Sequence, residues 1–209
     1  MTIENQVPEL ARSLEREIHE ARRQGDIRKL IESASAAMDR LEAAAADTGS
    51  TLTEEQVIAL NTARRIGYNA AADIWPGWQV GTPARSESEL QAGQTLARRS
   101  SAIVERLGKG AVAQGTAVWL IGAFDLARGR RKEAWAAFGA AAAFYADAPE
   151  LKLLSEGYMA IASELTSASS TDATPEFASV IAELGNLPSE DAKEFRNQLQ
   201  VARQVFNFQ

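Results

Sequence analysis

Residues 118–141 read Val118-Trp119-Leu120-Ile121-Gly122-Ala123-Phe124-Asp125-Leu126-Ala127-Arg128-Gly129, then Arg130-Arg131-Lys132-Glu133-Ala134-Trp135-Ala136-Ala137-Phe138-Gly139-Ala140-Ala141. Alanine, leucine, arginine, lysine and glutamate are the strongest helix formers, and they dominate both halves. The break falls at Gly129, between two stretches that each support several helical turns. A connection this short between two helices makes them antiparallel. No alternating run of valine, isoleucine or threonine competes with this reading, here or elsewhere in the chain. The fold class that follows is all-α, built from helical hairpins.

The same pattern extends in both directions. Val7, Leu10, Leu14 and Ile18 step by three and four and predict a helix over 8–23. Gly25 ends it and Asp26 caps the next, which runs to 46 and presents Ile27, Leu30, Ile31, Ala34, Met38 and Leu41. After a loop at 47–50, Thr53 and Gln56 form a capping box. The helix they open reaches Trp75, where Pro76 disfavours helical geometry in the residue before it. Ser86 and Glu89 make a second capping box for a helix to 107, broken by Gly108-Lys109-Gly110. Helices are expected at 111–128, 131–146 and 150–165. Residues 166–174, rich in Ser, Thr and Ala, read as a linker. Thr174 and Pro175 read as a cap and first helical position for a short helix holding Phe177, Val180, Ile181 and Leu184. After Pro188 a last helix aligns Phe195, Leu199, Ala202 and Phe206. The expectation is about nine helices, with 1–165 as the main array and 175–209 as a C-terminal pair packing on it or on a second subunit.

The 209 residues include 40 alanines, 17 arginines against 5 lysines, no cysteine and one histidine, His19. Disulfides, cysteine nucleophiles and zinc–cysteine sites are thereby excluded, as are metal motifs needing two histidines. Glu17-Ile18-His19-Glu20 lacks the second histidine of a metalloprotease helix, and His19 reads as a surface residue. Gly108-Lys109-Gly110 lacks the strand and spacing of a phosphate loop. No catalytic residue, metal or cofactor is assigned. A net charge of −6 opposes nucleic-acid binding, because an acidic surface repels phosphates. The most apolar window, 110–127, is interrupted by Gln114, Gly115, Thr116 and Asp125 and does not read as a membrane span. Residues 1–10 carry Glu4 and Glu9 rather than a basic, then apolar, leader. A cytoplasmic protein, with a bacterial type of alanine and arginine bias, is expected.

The stretch quoted above resembles a tetratricopeptide repeat (TPR). Gly122 stands where that family has the small residue at which paired helices touch, and Gly129 takes the turn. Ala134 follows Gly122 by twelve residues, Phe138 comes four later and Ala141 three later, at the family's spacing. The departures are Asp125 in place of an aromatic, Val118 in place of the tryptophan with Trp119 one residue late, and Pro149 about one turn late. Tyr68, Ala71 and Pro76 echo the back half of another unit. The resemblance covers one unit at 116–149 and the adjoining helix. It implies a right-handed α-solenoid that catalyses nothing and binds a peptide segment or partner helix along a concave face.

In that register Trp119 projects into the groove beside Thr116, Phe124 lies near it, and Ala123, Leu126 and Ala127 line it. A register shifted by one residue makes Trp119 core. A second candidate surface joins Arg65, Tyr68 and Asn69 to Trp75 and Trp78, with Asp73 continuing the polar strip of Arg65 and Asn69. Trp75 and Trp78 also read as a plug for the end of a hairpin. The run Arg128, Arg130, Arg131 and Lys132 reads as a solvated helix end, with Arg98, Arg99, Arg106 and Lys109 a weaker basic group. Two rivals to a peptide-binding scaffold follow. One is a self-associating structural protein, a homodimer through Phe206 and Phe208 in the apolar tail; the other is an enzyme of unknown reaction. The same tail could instead fold back over the groove.

Overall fold

The computed structural model describes residues 6–46, 51–164 and 176–207, and among them the chain is entirely helical, with nine α-helices and no strand. These are α1 (Gln6–Arg23), α2 (Ile27–Ala44), α3 (Glu54–Ile74), α4 (Glu87–Arg106), α5 (Ala111–Ala127), α6 (Arg131–Phe144), α7 (Pro149–Glu164), α8 (Phe177–Asn186) and α9 (Glu190–Asn207), with one 3₁₀ turn at Pro76–Trp78. The loop at 47–50, the linker 166–174, the Thr174-Pro175 start and Phe208 lie outside the described residues; α8 has Glu176 as its N-cap.

Helix ends follow local chemistry. Asp26 accepts from the Lys29 N–H at 3.0 Å. Both capping boxes form: Thr53 with Gln56, and Ser86 with Glu89. The Ser86 backbone N–H donates to the Glu89 carboxylate and holds its pKa below the usual carboxylate range. At the end of α5 the Arg130 N–H donates to the Asp125 carbonyl at 2.8 Å and the Gly129 N–H to the Leu126 carbonyl at 3.0 Å. This pairing needs a left-handed residue, which Gly129 supplies at φ +71°. The helices from α2 to α6 stop one or two residues short of the expected ends, where the next residue serves as cap.

Each helix packs on its sequence neighbours, and α1 on α3, α2 on α4, α3 on α5 and α7 on α9 as second neighbours. The close approaches depend on glycine. A Cβ at Gly122 would meet Ala137 Cβ at 2.9 Å and Phe138 at 3.2 Å, so the α5–α6 hairpin closes tightly at this residue. Ala134, Phe138 and Ala141 are fully buried beneath it. α9 is less local: it packs on α7 and α8 and reaches the 3₁₀ turn that follows α3.

Glycine positions set opposite outcomes for one substitution. At Gly93 in α4 a methyl would sit 2.5 Å from the fully buried Phe124 ring. Overpacking of about 1–3 kcal/mol outweighs the helix-propensity gain of about 1 kcal/mol, so Gly93→Ala should lower the urea midpoint. At Gly139 in α6 the nearest atom is Met159 Cε at 3.5 Å. Gly139→Ala should raise that midpoint, with a gain in stability of up to about 1 kcal/mol.

Candidate functional site

Six aromatic rings meet where α3 ends: Trp75 and Trp78, Trp119 from α5, Phe138 from α6, Tyr158 from α7 and Phe206 from α9. Trp75 is at their centre. Its ring centroid lies 4.8 Å from Trp78 and 5.6 Å from Trp119, both edge-on, 5.9 Å from Tyr158 and 6.0 Å from Phe206. Trp119 stands edge-on to Tyr158 at 5.1 Å, and Phe138 packs on Tyr158 at 5.1 Å. Offset and edge-on pairs of this kind add about 0.5–1.5 kcal/mol each beyond burial. The Trp75 indole N–H donates to the Ala123 carbonyl at 2.9 Å, and the Tyr158 hydroxyl accepts from Gln198 of α9 at 3.1 Å.

This cluster corrects the groove expectation. Trp119 is 4% exposed, and Phe124, Ala123 and Leu126 are buried with it, because α5 is enclosed on its several sides by α3, α4, α6 and the 3₁₀ turn. Trp75 is 1% exposed and is the plug rather than a wall. Phe206 is buried against Trp75 of its own chain, so the tail folds back as far as that residue. The polar strip is fastened to α1: Arg65 pairs with Glu15 and Asp73 with Arg22, while Asn69 is exposed and Tyr68 half-buried. Of the four tryptophans, Trp135 of α6 is half-buried and Trp78 is the exposed one, at 44%, followed by Val80 at 53%. Its indole N–H donates to the Ala72 carbonyl at 2.6 Å, which fixes its pose. It walls a cleft of about 270 Å³ whose apolar floor includes Ala21, Ile27 and Leu30 and whose rim carries Arg22, Asp26 and Asp73. A second exposed apolar place, around Val112 and Phe144, borders an open groove of about 500 Å³.

The basic run is not simply a solvated helix end. Asp125, 4% exposed, accepts from Gln94 Nε2 at 2.7 Å and pairs with Arg130 at 2.7 Å. Arg128 donates to Gln94 at 2.6 Å and to Glu87 at 2.8 Å. Two arginines of the following turn thus hold the Asp125–Gln94 pair in place. In the weaker basic group, Arg99 pairs with Asp39 and Glu42, and Arg106 donates to the Ala45 carbonyl.

Two arginines, Arg64 and Arg130, keep a buried Nε–H without a partner among the described residues, and of these Arg64 has no ion pair. Arg64 of α3 borders a cavity of about 150 Å³ with Tyr68, Ser100, Val104, Ala113, Thr116 and Ala117, and its buried Nε–H has no protein partner. A buried donor left so costs about 1–3 kcal/mol. Nothing in the local sequence marks this, since Arg64 and Arg65 differ only in helical phase.

Among the described residues, no group of three or more acidic or histidine side chains gathers to hold a metal ion. No described helix is long and apolar enough to cross a membrane. Compared with known proteins, the chain matches no family model, no curated protein and no solved structure.

The burial pattern sets two outcomes. Iodide quenching should act first on Trp78 and second on half-buried Trp135, so Trp78→Phe should remove the larger share of quenchable emission while Trp119→Phe leaves it in place. Burial also raises all three tyrosines, Tyr145 to about 12. Phenols with a folded pKa above the unfolded one stabilise fully below about pH 10. That stability should fall as pH rises from 10 towards 12, visible as a declining urea midpoint with phenolate absorbance lagging that of free tyrosine.

Proposed function

We propose that the protein is a non-catalytic interaction module, a TPR-like stack of helical hairpins that seats a partner's peptide segment or helix in the cleft beside Trp78. The exposed, rigidly held Trp78 carries this reading. Large aromatic side chains fixed at the edge of an apolar depression are the usual anchors of binding surfaces. Here the indole is held from behind by Trp75 and by its bond to the Ala72 carbonyl, so little side-chain freedom is lost on binding. Val80, exposed two residues after Trp78, adds apolar surface close by in the chain, and the charges of Arg22, Asp26 and Asp73 at the rim favour a segment with an apolar residue flanked by polar ones. The α5–α6 hairpin supports the repeat-like arrangement through the fit at Gly122. The occupied groove, with Phe206 and the α5 face inside the core, moves the docking surface from the concave side expected of the family to this cleft.

A photo-crosslinking residue at position 80, introduced in the source cells, should give a discrete adduct. Trp78→Ala should weaken that adduct by at least about thirtyfold, the loss of one anchor worth about 2 kcal/mol, with the far-ultraviolet spectrum unchanged. An adduct that survives Trp78→Ala, or one that forms from position 112 and not from position 80, would refute the assignment. An adduct at twice the chain's mass would identify a second copy as the occupant and favour the self-association reading.

A further inference from the structure

The cavity between α3, α4 and α5 shares no residue with the Trp78 cleft, and its chemistry is one-sided. Arg64 brings a permanent positive charge, and no acidic residue lines the cavity. Arg64 forms no ion pair among the described residues, a feature it shares with several surface arginines, but unlike them it lines a cavity with a buried Nε. Its Nε–H is buried without a protein partner. Tyr68, one turn along the same helix, has no hydrogen bond to another described residue. Its phenol is pushed above the ordinary value by burial, so it stays an O–H donor at neutral pH. The other two hydroxyls have committed their protons: Ser100 donates to the Arg64 carbonyl at 3.0 Å, and Thr116 donates to the Val112 carbonyl at 2.8 Å while accepting from Tyr145 at 3.0 Å. The remaining lining, Val104, Ala113 and Ala117, is apolar.

We propose that this cavity binds a small organic monocarboxylate, with its head group on Arg64 and Tyr68 and its short aliphatic tail against Val104, Ala113 and Ala117. A guanidinium and one hydroxyl match the two oxygens of a planar carboxylate. They leave the further oxygens of a phosphate without donors. Cavities of about 150 Å³ admit a molecule the size of benzene, which suits an acid of a few carbons.

The test follows the Arg64 Nε–H resonance in the full chain labelled with nitrogen-15 arginine. Sodium propionate, sodium phosphate and sodium chloride are titrated at matched ionic strength. Propionate should shift that resonance saturably; chloride should not. Tyr68→Phe should weaken propionate binding about tenfold, the loss of one charge-assisted hydrogen bond. Arg64→Gln should abolish the saturable stabilisation that propionate gives to the thermal transition. Should Arg64→Gln not fold, Arg64→Lys replaces it, with binding reduced at least about tenfold by loss of the bidentate fork. Shifts that stay linear in all three salts, stabilisation that survives Arg64→Gln, or saturation by phosphate at lower concentration than by propionate would each overturn the proposal.

Discussion

The bond from the Trp75 indole N–H to the Ala123 carbonyl ties the end of α3 to the middle of α5, and much of the molecule is arranged around it. Pro76 ends α3 just where the indole must turn inward, and the 3₁₀ turn then brings Trp78 edge-on over the same ring. Rings from α5, α7 and α9 close on Trp75 from the other sides. An alanine-rich chain has few side chains large enough to fill the junction of five elements. Concentrating its big rings at one point lets the remaining interfaces stay thin. Runs of alanine and single glycines then bring the helices close, as at Gly122.

Polar groups inside such a tight core have to be matched. Asp125 lies buried in the last turn of α5, and its charge is met by Gln94 and Arg130, with Arg128 bridging Gln94 to Glu87. A buried carboxylate without that company would cost several kcal/mol, so the network preserves the hairpin more than it strengthens it. Arg64 has no such company. Arg130 also keeps a buried Nε–H without a partner, but its guanidinium is held by Asp125, whereas Arg64 has no ion pair among the described residues and borders a cavity.

Helix positions were legible because their determinants are local. Thr53, Ser86 and Asp26 cap what they precede, and Gly129 takes the turn, whatever the rest of the chain does. The site was less so. α5 is apolar on nearly every face, so its helical phase does not say which side meets water; Trp119 and Phe124 are core because four other elements enclose them. Arg65 and Asp73 read as a free strip until α1 supplies Glu15 and Arg22. Arg64 and Tyr68 stand in the sequence on the same turns as the Arg65–Asn69 strip, but that Arg64 lacks a partner is a property of the whole packing. Of the second surface, Trp78 kept its exposure because the turn after Pro76 lifts it clear of the next helix.

The reach of α9 back to the turn after α3 has a consequence for biosynthesis. Nearly all other contacts join helices adjacent or next-adjacent in the chain, so α1 to α7 can assemble in order as they leave the ribosome. The face of Trp75 that Phe206 covers has no cover until α9 has been made. For much of translation the growing chain therefore presents an uncapped indole to its surroundings. That interval, rather than the finished protein, is when the nascent chain most needs shielding from its neighbours.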